Sequence, residues 1–269
     1  MKSSLIVSSL AVVGLVAGSA QAAGVEAGVD FASAYIATGA TCNDGWVAQP
    51  WVSVFDMKIG DTELPLSLGF WGNIDIEKYS PDECSRKGRF QEIDVDVTFD
   101  LAKIFGAADE WSWSLGYVEY DYPGHDWSAD HLLKLAGAYK YKTDIGTFKP
   151  GVVAKYRIGG PSQGKLEAAL SLGWSTSLAT VCAAENQDDD DTTLDLGLTA
   201  DVWYVNVDDV DGDAGESGLA CADFTASLSA GPVYVSATYV AQIDDDVLPD
   251  GPWGYDVKWV FATGVSYEF

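Results

Sequence analysis

The sequence predicts an all-β fold, a transmembrane antiparallel up-and-down β-barrel of about twelve strands, on three observations. The segment from Tyr255 to Phe269 alternates: Tyr255, Val257, Trp259, Phe261, Val265, Tyr267 and Phe269 fall on one face, with Asp256, Lys258, Ser266 and Glu268 on the other. At about 3.3 Å per residue it runs about 50 Å, enough for a tilted strand to cross a bilayer core and its interfaces. Similar alternating segments recur along the chain, separated by turn residues or polar stretches. Beyond residue 22 no segment approaches 18 uninterrupted apolar residues, so helical membrane spans are not expected.

Residues 1–22 read as a secretory signal peptide: Lys2, an apolar run from Leu5 to about Val16, and the small-residue site Ala20-Gln21-Ala22. The barrel is then expected over 23–269. The net charge of −26 becomes −27 once Lys2 is removed, which argues against nucleic acid as a partner. Aromatics make up 12% of the chain, with ten tryptophans and only two methionines, a composition that fits a barrel with aromatic girdles.

The first strand, 25–37, turns Val25, Ala27, Val29, Phe31 and Tyr35 one way and Glu26, Gly28 and Asp30 the other. The second, 47–59, contains Pro50, tolerable near a strand end. The third, 63–76, sets Leu64, Leu66, Leu68, Phe70, Ile74 and Ile76 against Glu63, Ser67, Asn73 and Asp75. The fourth, 90–101, sets Ile93, Val95, Val97, Phe99 and Leu101 outward and Glu92, Asp94, Asp96, Thr98 and Asp100 inward. The fifth, 111–122, is nearly all aromatic or small. The sixth and seventh, 131–142 and 148–158, alternate Leu133, Leu135, Tyr139, Val152, Ala154 and Tyr156 with Lys134, Lys140, Lys142, Lys149, Lys155 and Arg157. An eighth follows a Gly-Gly-Pro turn with Leu166 to Trp174 out and Lys165 to Gly173 in. The ninth to eleventh are expected at 193–205, 220–228 and 233–242. An even count puts both termini at the periplasmic end and closes every edge.

Two features resemble known proteins. The C-terminal alternation ending on Phe269 resembles the β-signal of bacterial outer-membrane barrels, which implies the barrel-insertion machinery as a partner. Ser33-Ala34-Tyr35-Ile36-Ala37-Thr38-Gly39, Gln49-Pro50, Leu115-Gly116-Tyr117 and Tyr120-Asp121-Tyr122-Pro123-Gly124 resemble motifs of the TorF-type porin family. That resemblance implies a twelve-stranded barrel and passive transport. The family's arginine in the first motif is Thr38 here, so its role does not transfer.

Seven basic residues fall between 134 and 165, with Asp144 the one acid in the interval. Lys134, Lys140, Lys142, Lys149, Lys155, Arg157 and Lys165 are therefore expected to form a basic lumen wall facing Glu63, Asp75, Glu92, Asp94, Asp96 and Asp100. Opposed walls of this kind set up a transverse field that orients dipolar solutes. The alternative is a lumen in which the charges pair and fill space.

The acidic runs Asp188–Asp191 and Asp208 to Glu216 read as solvated loops, since the glycine an EF-hand needs is Ala214. Contact with lipopolysaccharide phosphates through loose divalent cations is compatible with them, and outer-membrane lipid is the expected surrounding. No cofactor is expected. His125 and His131, beside Asp126 and Asp130, lack a G-x-S-x-G nucleophile motif in the mature chain, so an enzyme is not expected. Cys42 and Cys84 fall in the first two outward loops and are the candidate disulfide, whereas Cys182 and Cys221 are expected at opposite barrel ends, beyond bonding range. The expected function is a porin-like channel for small hydrophilic solutes or ions. A non-conducting structural or adhesive barrel acting through its acidic loops is the alternative.

Overall fold

The computed structural model describes residues 24–59, 61–77, 88–123, 128–181, 192–206, 216–251 and 254–269. Twelve strands form one closed antiparallel barrel: β1 (Gly24–Ala32), β2 (Val47–Phe55), β3 (Leu66–Asp75), β4 (Phe90–Asp100), β5 (Trp111–Asp121), β6 (Asp130–Tyr139), β7 (Gly146–Gly159), β8 (Leu166–Val181), β9 (Thr192–Asn206), β10 (Gly218–Ala230), β11 (Val233–Gln242) and β12 (Trp259–Glu268). Each pairs with its neighbour in sequence, and β1 closes on β12 from Glu26↔Glu268 to Ala32↔Ala262. One extra short strand, Tyr141–Thr143, pairs with the start of β7. No helix among the described residues is long and apolar enough to cross a membrane. A single helical turn, α1 (Leu101–Phe105), follows β4, with Asp100 accepting from the Lys103 amide at 3.0 Å and Gly106 ending it at φ 64°.

The alternation read from the sequence sorts side chains as expected. On β8, Leu170 is 70% exposed whereas its neighbour Ala169 is 2% exposed, so the leucine points out of the barrel and the alanine in. Leu133, Leu135, Leu198, Phe224, Val235 and Phe261 share the outward face. Rings cluster at both ends: Trp111 lies 4.7 Å from Tyr139 near the end carrying the termini, and Tyr239 lies 4.9 Å from Trp259 toward the other. An exposed apolar band with aromatic ends suits hydrocarbon, and closed antiparallel barrels of this kind span outer membranes. The chain is an outer-membrane barrel. Leu170→Lys is therefore expected to cost about 2–4 kcal/mol of stability, and Ser171→Lys, one residue along and facing the lumen, under about 1 kcal/mol. Urea unfolding in lipid vesicles checks both.

Strand ends differ from the sequence reading in ways that move site residues. The first strand stops at Ala32, and Tyr35–Ala37 instead pairs with Ala40–Asn43 in a hairpin. Its two-residue tip, Thr38 and Gly39, has φ of 51° and 82°, the positive pair that matches strand twist in a tight hairpin. The second strand ends at Phe55, and Lys58–Ile59 pairs with Thr62–Glu63. The third begins only after Pro65, which lacks an amide for the ladder. The eighth runs on to Val181, seven residues past Trp174, the last outward residue of its expected alternation. The twelfth begins at Trp259, because Tyr255 turns inward and donates its hydroxyl to the Val240 carbonyl at 2.9 Å.

Candidate functional site: the barrel lumen

Basic residues within the barrel strands occur only on β6 and β7: Lys134, Lys149, Lys155 and Arg157, all at inward positions. Carboxylates point inward from many more strands, including Asp30 on β1, Glu92, Asp94 and Asp96 on β4, Glu167 on β8, Asp201 on β9 and Asp223 on β10. Lys134 attracts Asp96, Lys155 attracts Asp94, and Arg157 attracts Glu92 across the intervening β5. Glycines make this spacing possible. A β-carbon at Gly69 would strike the Asp96 carboxylate, and one at Gly116 would meet the Thr98 hydroxyl at 2.9 Å.

The outer part of this wall is a closed network. Arg157 donates through Nη1 to the Asp130 carboxylate, and its Nη2 lies 3.6 Å from Glu167 Oε1. Lys165 Nζ reaches the same Glu167 oxygen at 2.8 Å, and the Ser162 amide donates to Asp130 at 3.1 Å. The Arg157 guanidinium also sits 5.5 Å from the centre of the Tyr120 ring. Asp130 is 2% exposed and Arg157 9%.

The hairpin Tyr35–Asn43 folds over the outer mouth. Tyr35 donates to Glu92 at 3.0 Å and Asn43 to Gln91 at 3.1 Å, while Asn73 donates to the same Gln91 oxygen at 2.5 Å. On its other side Thr41 donates its amide to the Gly254 carbonyl at 2.7 Å and accepts from the Val257 amide at 3.1 Å. Ile36 and Ala40 pack on an inward apolar cluster of Val205, Cys221, Val240, Leu248 and Tyr255. Burial on the inner side of the hairpin, with Glu92 nearby, pushes the Cys42 thiol up to about 12. Toward the other end the lumen opens into a cavity of about 400 Å³ lined by Phe55, Ser67, Thr98, Asp100, Ser114 and Lys149, among others.

Of the expected pore-lining residues, Glu92, Asp94, Asp96, Lys134, Lys149, Lys155 and Arg157 lie on the inner wall. Asp100 lines the lower cavity while capping α1. Asp75 is buried at the outer end of β3, where it accepts from the Glu77 amide at 3.1 Å. Lys165 stands in the outer turn before β8 and is tied to Glu167. Glu63, Lys140 and Lys142 are displaced from the expected wall, because their strands end earlier than the alternation does. Glu63 sits in the lower turn, where with Asp56 it binds Lys103 Nζ at 2.7 and 2.8 Å, hydrogen bonds that hold the Lys103 ammonium above its ordinary range. Lys140 follows the end of β6, and Lys142 pairs with Thr147 beside the same turn.

Among the described residues Cys42 and Cys221 are unbonded to each other. Cys84 and Cys182 lie outside the described residues, and with them the Cys42–Cys84 pairing; so do His125 and both acidic runs except Glu216. His131 faces outward, its Nδ1 2.8 Å from the Tyr117 hydroxyl with the two rings stacked. Three inward rings, Tyr35, Trp51 and Trp71, were not singled out from the sequence as lumen groups, although the odd positions of Trp51 and Trp71, opposite to Val52, Val54, Leu68 and Phe70, carried the signal.

No family model matches the chain, and no curated protein does. Among solved structures the chain is similar to the NanC porin (10% identity over 91% of this chain and 99% of that one, TM-score 0.47). It is also similar to the COG4313 outer-membrane channel from Pseudomonas putida F1 (9% identity, 92% and 94%, TM-score 0.42) and to Salmonella typhi OmpF in complex with daunomycin (10% identity, 92% and 97%, TM-score 0.40). At these identities and TM-scores no residue role, solute or family follows from the likeness.

Proposed function

We propose that the chain is a narrow, cation-preferring outer-membrane channel for small hydrophilic solutes and ions, with its outer mouth narrowed by the hairpin Tyr35–Asn43. The observation that carries this reading is the distribution of lumen charge. Basic residues are confined to β6 and β7 and lie near carboxylates, whereas β1, β9 and β10 present Asp30, Asp201 and Asp223 from strands with no basic residue. A lumen of that sign concentrates cations and repels anions. Where the basic wall faces β4, the opposed charges set up the transverse field of a selective constriction.

A second reading has its own support. The Arg157 network and the apolar cluster around Tyr255 fill much of the outer half, as they would in a structural barrel with a packed interior. Reconstitution in a planar bilayer separates the two. Steady conductance with a reversal potential on the cation side supports the channel, and a correctly folded but silent protein rejects it.

A further inference from the structure

Resting on the channel reading, we propose that the lumen wall formed by β1 to β4 holds a binding site for small organic cations, solutes carrying an alkylated or primary ammonium group. Trp51 and Trp71 are register partners on β2 and β3, and Trp71 is in turn the partner of Asp94 on β4. On the other flank Trp51 and Tyr234 direct their donors to the Asp30 carboxylate. Tyr35 descends from the hairpin to place its ring centre 5.4 Å from that of Trp71. The wall thus carries two adjacent indoles bracketed by two carboxylates, with a phenol ring above.

Two features fit the site to an organic cation. Asp30 is held by neutral donors, an indole N–H and a phenol, so its charge is oriented without being cancelled. Strands β1 to β4 carry no lysine or arginine at all. A neutral sugar would also stack on the indoles and hydrogen-bond to the carboxylates, whereas an ammonium gains in addition from the cation–ring attraction and from the charge of Asp30, which no lysine or arginine on β1 to β4 offsets. A small inorganic cation is strongly hydrated and gains little from the rings, so the aromatic pair selects for the organic class. Space for the constellation comes from glycine: β-carbons at Gly28 and Gly264 would collide with Trp51 and with Asp30 and Tyr234, respectively.

The test uses choline as the probe and maltose as the neutral control, with two readouts: block of potassium current through the reconstituted full barrel, and calorimetric titration of the refolded barrel in detergent. Choline is expected to block and to bind, with affinity weakened about tenfold by Asp30→Asn and by Trp71→Leu. Trp71→Phe, which keeps a ring, is expected to stay within about threefold of wild type. Heat-modifiable gel mobility establishes that each variant is folded, and the Trp71→Phe comparison decides the matter should Asp30→Asn not fold. A barrel that conducts potassium but neither binds choline nor is blocked by it overturns the site and leaves the channel standing. A silent barrel that still binds choline overturns the channel and leaves the site. Maltose binding where choline does not, or equal affinities for wild type and Trp71→Leu, also overturns the proposal.

Discussion

Replacing Arg157 with alanine is expected to destabilise the barrel by about 3–5 kcal/mol, the range for removing one partner from a buried ion network. The guanidinium is the shared partner of Asp130 and Glu167, both almost fully buried, and it rests on the Tyr120 ring. Without it Asp130 keeps the Ser162 amide while Glu167 keeps Lys165 and the attraction of Lys155 opposite it, so the uncompensated buried charge falls mainly on Asp130. Lysine is no substitute, because one ammonium cannot span two carboxylates as the planar fork does. The companion change Asp130→Asn in the Arg157→Ala background is expected to restore part of the loss by removing one of the stranded charges. Urea unfolding in lipid vesicles, followed by tryptophan fluorescence, reads these differences. A loss under about 1 kcal/mol would show that water reaches the network.

Excising the hairpin is expected to have the largest effect on conduction. Replacing residues 35–43 by a short Gly-Ser linker removes Tyr35 from Glu92, Asn43 from Gln91 and the packing of Ile36 and Ala40 on the cluster around Tyr255, while the ladder between β1 and β2 is untouched. Single-channel conductance is expected to rise severalfold, since the hairpin occupies cross-section at the narrow mouth. Loss of Thr41 also frees the Gly254 carbonyl and the Val257 amide, so the loop before β12 is expected to loosen together with the hairpin. An unchanged conductance would place the limiting constriction elsewhere, at the walls of β4 and β7.

The barrel was legible because alternation is enforced on both sides: lipid outside and water or charge inside leave no freedom for a slip of one residue. Strands β3 and β4 show this, and parity alone placed Glu92, Asp94, Asp96, Lys155 and Arg157 on the inner wall. What parity cannot show is where a strand stops. Tyr35 and Tyr255 both keep the period of the strands beside them, yet both leave the ladder and turn inward, because hydrogen bonds to Glu92 and Val240 and burial at the mouth outweigh continued pairing. Lys140, Lys142 and Glu63 were misplaced by the same blindness. Nor does the position of a charge give its state: Arg157 faces inward as expected, but it is consumed in a network formed by residues from three strands. That network depends on Asp130 and Glu167, brought to either side of Arg157 by the registers of β6 on β7 and β7 on β8, and side-chain alternation along one strand does not reveal those registers.

Whether the lumen conducts, and whether its charges set the selectivity, is read from the reversal potential under a potassium chloride gradient. The measurement compares wild type with the double variant Lys134→Ala/Lys155→Ala, which removes basic charge facing Asp96 and Asp94 while leaving the Arg157 network in place. Wild type is expected to conduct with a cation preference, and the variant's reversal potential to move further toward the cation limit. A folded barrel that does not conduct, or a variant with the reversal potential of the wild type, would contradict this expectation.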